Sequence, residues 1–135
     1  MINHPLLSKL LTSITPKFLF EESLKQVYYD ESKITKDKIQ QYYDLMLQKG
    51  NRQATMRRFQ QWSPAKFEEL ESLKCSSFVI WGKHDQWIPV SHAYRFHTIL
   101  QNSILKIYDN AGHVPMEEIP YESAQDALDF LRASS

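Results

Sequence analysis

The chain has 135 residues, 42% of them apolar and 24% charged, with 16 basic and 16 acidic side chains and a formal net charge of zero. This is the composition of one modest globular domain rather than of a disordered segment. The balanced charge creates no field that would draw the chain to nucleic acid or an anionic membrane, and no run reaches the roughly 18 apolar residues of a membrane span.

The one cysteine, Cys75, excludes an internal disulfide and a multi-cysteine metal site. It precedes an apolar run, so a buried or half-buried thiol is expected. The opening MINHPLLSKLLTSITPKF lacks a basic leader and a long apolar core, so the expectation is no signal peptide and a cytoplasmic, reducing compartment. There are three glycines, Gly50, Gly82 and Gly112, which limits the number of tight strand-to-helix turns.

In chain order, Leu6, Leu7, Leu10, Leu11 and Ile14 recur at helical spacing and Pro16 closes the pattern. A short helix is expected over 21–29 through Leu24, Val27 and Tyr28. Thr35 suits an N-cap for a helix carrying Ile39, Tyr42, Tyr43, Met46 and Leu47, with Gly50 as its C′ residue. A further helix over 52–62 places Met56, Phe59 and Trp62 on one side, with Arg57 and Arg58 on a solvated face. Ser63-Pro64 starts the next, through Phe67 and Leu70.

The pattern changes after Lys74. Residues 77–81 form a compact run of β-formers ended by Gly82, and 104–108 form another, followed by the turn 109–112. Pro89 opens a helix with Ala93, Phe96 and Ile99 or Leu100 inward. Pro120 opens the last, where Ala124, Ala127, Leu128 and Leu131 recur. Strand, helix, strand, helix implies two parallel strands joined by a crossover. Two such strands make a poor sheet unless further cover or another chain shields it.

Each strand ends at a loop with an ionisable group. SFVIWGKHDQWIP offers Asp85, and ILKIYDNAGHVPMEEIP offers His113, 28 residues later. Parallel strands bring both loops to one sheet edge. There a carboxylate can accept from one imidazole nitrogen, fix the tautomer and support the imidazolium, leaving the other nitrogen to take a proton from a nucleophile or water. Gly112 would permit a tight bend beside His113. The same residue types also serve as a helix cap and a plain loop histidine. His84, His113 and Glu117 offer metal donors, but without a recognised ligand spacing, so neither metal nor cofactor is expected. His4, His92 and His97 are expected to face solvent.

WGKHDQWIP followed at this distance by DNAGHVPMEEIP resembles the closing portion of the α/β-hydrolase superfamily. It is similar in particular to cap-bearing members related to carbon–carbon bond hydrolases, epoxide hydrolases and haloalkane dehalogenases. The resemblance implies that Asp85 is the triad acid and His113 the catalytic histidine, with Glu117 or Glu118 and Pro120 structural. It covers 74–132 closely and the rest loosely, and it implies an α/β class. The expected architecture is a partial α/β-hydrolase fold with a helical cap-like region over 1–73, then a core segment over 74–135. Trp87, Tyr42, Tyr43, Met46 and Trp62 are candidate pocket-lining residues, although at helical spacing the tyrosines, Met46 and Trp62 equally suit a core.

The family's nucleophile elbow, G-x-S-x-G or a close variant, precedes acid and histidine. None of the three glycines here belongs to one. The expectation is therefore the C-terminal part of a hydrolase for an ester, related carbonyl compound or carbon–carbon bond, inactive alone. The alternatives are a noncatalytic interaction or remnant module, or one half of a split enzyme. A small-molecule substrate is expected only after completion by an N-terminal half, and an exposed sheet edge offers a surface for self-association or a partner chain.

Overall fold

The computed structural model of the chain describes residues 16–61 and 67–134. The helix expected over 6–14, together with His4, Trp62 and the Ser63-Pro64 start signal, lies outside them. The chain divides into two compact units that interleave in sequence: Met1–Leu24 with Ile34–Pro64, and Lys25–Lys33 with Ala65–Ser135.

The described part of the first unit is helical: α1 (Lys17–Lys25, whose last residue joins the second unit), α2 (Lys36–Leu47) and α3 (Asn51–Gln60). Thr35 is extended and its Oγ1 accepts the Lys38 N–H at 3.1 Å, which starts α2 as expected. Removing that acceptor leaves an end N–H without its side-chain partner. Thr35→Ala is expected to destabilise this unit by about 1 kcal/mol, seen as a lower urea midpoint by far-UV circular dichroism. An unchanged midpoint would show that the hydroxyl contributes nothing.

Gly50 does not close α2 as expected. Gln48 caps that helix, and Gly50 stands before α3 at φ +94°, its carbonyl accepting the Ala54 N–H. Phe59 is 73% exposed rather than inward, while Met56 is half-buried and Arg57 and Arg58 face solvent as expected. Tyr43 packs on Phe20 with ring centres 5.7 Å apart.

The second unit holds α4 (Phe67–Glu71), β1 (Ser77–Gly82), α5 (Ser91–Ile99), β2 (Ser103–Tyr108), α6 (Pro115–Glu118) and α7 (Pro120–Ala133). The strands pair in parallel from Ser77↔Ser103 to Gly82↔Tyr108. Successive strand side chains point to opposite faces, so two ring contacts locate the cover. Trp81 meets Phe96 of α5 at 6.3 Å, and Phe78 stacks on Phe130 of α7 at 5.2 Å. The two helices thus lie on opposite faces of the sheet. The β1 side chains before Gly82 nonetheless remain half-buried.

The inner stripe of α7 differs from the expected one. Ser123 is buried, and Asp126, Ala127 and Phe130 are half-buried, whereas Ala124, Leu128 and Leu131 are exposed. Asp126 turns inward because it accepts the hydroxyl of buried Tyr108 at 2.8 Å. Burial, then this bond, raise the Tyr108 phenol pKa above its ordinary range. Cys75 is exposed rather than buried, since the run that enters the unit begins at Ser77.

The helix expected over 21–29 runs instead over Lys17–Lys25. Val27 and Tyr28 are buried outside it. The Val27 carbonyl and the N–H groups of Tyr29 and Asp30 bond residues near 112–118, so a helical ladder cannot use them. Among the described residues no helix is long and apolar enough to cross a membrane.

Candidate active site

Backbone bonds continue past the strand ends and hold the two loops side by side. Lys83 N–H donates to Tyr108 O at 2.9 Å and His84 N–H to Ala111 O at 3.1 Å. The chain then turns, with Asp85 N–H reaching Gly82 O at 3.3 Å. Glycine at 82 is required by proximity: a Cβ there would lie 1.9 Å from Gly112 O. Gly112 answers a second approach, where a Cβ would lie 2.7 Å from Val27 O and 2.8 Å from Tyr29 N. Its φ is not positive, so close passage rather than a sharp bend explains it.

Asp85 uses both oxygens. Oδ1 accepts the N–H groups of Trp87 at 2.8 Å and Ile88 at 2.9 Å, and Oδ2 faces His113 Nδ1 at 2.8 Å. An ionised carboxylate only accepts, so the ring donates from Nδ1 and its proton-accepting nitrogen in the neutral form is Nε2. The Asp85 side chain is 4% exposed and that of His113 29%, so the carboxylate is sequestered while the imidazole stays reachable. The pair lines a cavity of about 160 Å³ with Ile80, Trp81, Gly82, Ile88, Pro115 and Met116.

The remaining candidates lie as follows. Trp87 is 52% exposed and tilts against the His113 ring at 5.3 Å, but does not line that cavity. Tyr42 and Met46 line a cavity of about 390 Å³ within the helical unit, and Tyr43 packs on Phe20 there. Trp62 is outside the described residues. His84 stacks on Tyr29 at 3.9 Å, Glu117 accepts the Tyr28 hydroxyl, and His92 and His97 are exposed. Among the described residues no group of three His, Cys, Asp or Glu side chains is arranged to hold a metal ion.

The support beneath His113 is foreseen only in part, through the resemblance that makes Glu117 or Glu118 structural. Its N–H donates to Val27 O at 2.8 Å, and the buried Glu118 carboxylate takes the N–H groups of Gly112, Tyr29 and Asp30. The acidic pair after VPM was the available signal for Glu118. Val27, Tyr29 and Asp30 gave none, because they act through their backbones.

No family model matches the chain. It is 34% identical over 64 residues to the monoacylglycerol lipase ABHD6 of Mus musculus, covering 47% of this chain and 19% of the relative. It is 27% identical over 118 residues to a 2-hydroxy-6-oxononadienedioate/2-hydroxy-6-oxononatrienedioate hydrolase of Paraburkholderia phymatum, covering 82% of this chain and 41% of that protein. Among solved structures, a serine hydrolase involved in carbazole degradation (CarC) superposes with a TM-score of 0.79 at 27% identity. That match covers 87% of this chain and 48% of the other.

Strand order, loops and likeness agree: this is the C-terminal portion of an α/β-hydrolase fold. Within that class its similarity runs to a lipase, a dioate hydrolase and a serine hydrolase involved in carbazole degradation, and the chain spans less than half the length of each.

Proposed function

We propose that Asp85 and His113 are the acid and the general base of an α/β hydrolase, and that residues 74–135 supply them from the core while 1–73 form a cap-like region. The carrying observation is the 2.8 Å Asp85–His113 bond, with the second Asp85 oxygen tied by two backbone N–H groups. His113 takes the proton of an attacking group and returns it to the leaving group, and Asp85 holds its tautomer. The substrate is an ester, related carbonyl compound or activated carbon–carbon bond. The lipase and dioate-hydrolase relatives favour a monoacylglycerol-like ester or a 2-hydroxy-6-oxo acid.

The 135 residues contain no G-x-S-x-G elbow, so the attacking group comes from elsewhere in the polypeptide or from a partner. The outer edge of β1, unpaired among the described residues, is where a further strand would join. The missing elbow also favours a second reading, a noncatalytic interaction module. The exposed free thiol of Cys75 suits a reducing compartment.

The test is hydrolysis of both substrate types by the protein in its longest natural form, with and without His113→Ala. Loss of turnover in a folded variant is expected. Unchanged turnover would overturn the assignment, and absence of any turnover in the parent would favour the noncatalytic module.

A further inference from the structure

The Asp85–His113 contact joins two loops that run side by side through the Lys83-to-Tyr108 and His84-to-Ala111 bonds, but whose functional residues are held by different partners. Asp85 is held from its own loop by the N–H groups of Trp87 and Ile88. Nothing equivalent within 109–114 holds His113. Its backbone is held instead by a segment some 85 residues earlier, and by a carboxylate five residues later.

Glu118 is 3% exposed and ends α6, which begins two residues after His113. Its Oε1 accepts the Gly112 N–H at 2.5 Å, closing a clasp around His113. Its Oε2 accepts the N–H groups of Tyr29 at 2.8 Å and Asp30 at 3.1 Å. The adjacent His113 N–H donates to Val27 O at 2.8 Å. One carboxylate thus joins 29–30 to the backbone immediately before the histidine. It can do so because an ionised carboxylate has about four acceptor sites and no proton of its own. A carboxamide in the same place would turn an NH₂ group toward at least one of these donors, and an unmatched buried donor is costly.

We propose that Glu118 is a positioning residue for His113, holding its backbone so that Nδ1 meets Asp85 and Nε2 is the nitrogen open to proton transfer. The role rests on the hydrolase reading of the pair, but its test does not depend on turnover. Glu118 touches neither Asp85 nor the His113 ring in the bonds that define the site, so it acts through the Gly112–His113 backbone. A carboxylate that merely stabilised the unit would lower stability when replaced and leave the ring tautomer alone.

The experiment uses the full chain labelled with ¹⁵N-histidine, its five histidines assigned with the help of His113→Ala. Long-range ¹H–¹⁵N spectra of the neutral ring report which nitrogen carries the proton, without observing that exchangeable proton itself. In the unaltered chain the His113 proton is expected on Nδ1. In folded Glu118→Gln it is expected to leave Nδ1 for Nε2, as in an imidazole without an acceptor. A folded Glu118→Gln chain with its proton still on Nδ1 would overturn the proposal.

Should that variant not fold, amide exchange in the unaltered chain decides. The Gly112 N–H is expected to be as protected as the β1–β2 ladder, and exchange at the rate of an open loop would overturn the role. Turnover after His113→Ala decides the hydrolase reading separately, so either can fail alone.

Discussion

Asp85→Asn is expected to leave the fold intact and reduce turnover by about 10⁴-fold, or about 5.5 kcal/mol of transition-state stabilisation. The geometry gives the direction. Asp85 Oδ1 is held by the Trp87 and Ile88 N–H groups, which demand an acceptor, so the asparagine oxygen takes that position. Its NH₂ then occupies the place of Oδ2, 2.8 Å from His113 Nδ1. A donor there requires Nδ1 to accept, which moves the ring proton to Nε2, the nitrogen that should be taking one. The site keeps its shape and loses its base. The same ¹⁵N spectra of the chain would show the proton on Nε2, and kinetics of the active form would show kcat falling more than KM rises. A folded Asp85→Asn enzyme within about tenfold of the parent would remove Asp85 from the mechanism.

The parts legible from sequence were those where one residue type has one local job. Thr35 before an apolar-periodic run marks a cap, and β-formers stopped by Gly82 mark a strand that leads to Asp85. The parallel order follows from the spacing and brings Asp85 and His113 to one edge. What was illegible depends on backbone groups or distant partners. Val27 and Tyr28 have helical spacing with Leu24, yet the Val27 carbonyl is spent on His113. On α7 two stripes overlap, and the leucine stripe is the wrong one because Asp126 must reach Tyr108. Gly112 beside a histidine suggested a bend, while the reason for it is Val27 passing behind. Tyr42 and Met46 share a helix face, and their cavity belongs to the helical unit.

Gly82→Ala is expected to unfold the C-terminal unit. An added Cβ would stand 1.9 Å from Gly112 O and 2.5 Å from Ala111 O, against ordinary contact from 3.4 Å. Both are backbone atoms, so no side chain can swing aside. Nor can the Gly112 backbone retreat freely, since Val27 O already lies 2.7 Å from where its own Cβ would be. Three stretches of main chain, at 82, 112 and 27, are stacked without side chains between them. Separating the first two would strain the His84-to-Ala111, Gly112-to-Glu118 and His113-to-Val27 bonds together. Each buried group left unpaired costs about 1–3 kcal/mol, so the three together cost about 3–9 kcal/mol. That is a large part of the roughly 5–15 kcal/mol by which a domain is stable.

Gly50→Ala is the control. Nothing lies within 4 Å of its added Cβ, and only the left-handed φ of +94° opposes it, a strain of about 1–2 kcal/mol. Urea unfolding followed by near-UV and far-UV circular dichroism should therefore lose the C-terminal transition in Gly82→Ala and merely shift the helical one in Gly50→Ala. If Gly82→Ala unfolds cooperatively within about 1 kcal/mol of the parent, the three backbones are not in contact. The pairing of Asp85 with His113 would then need some other support.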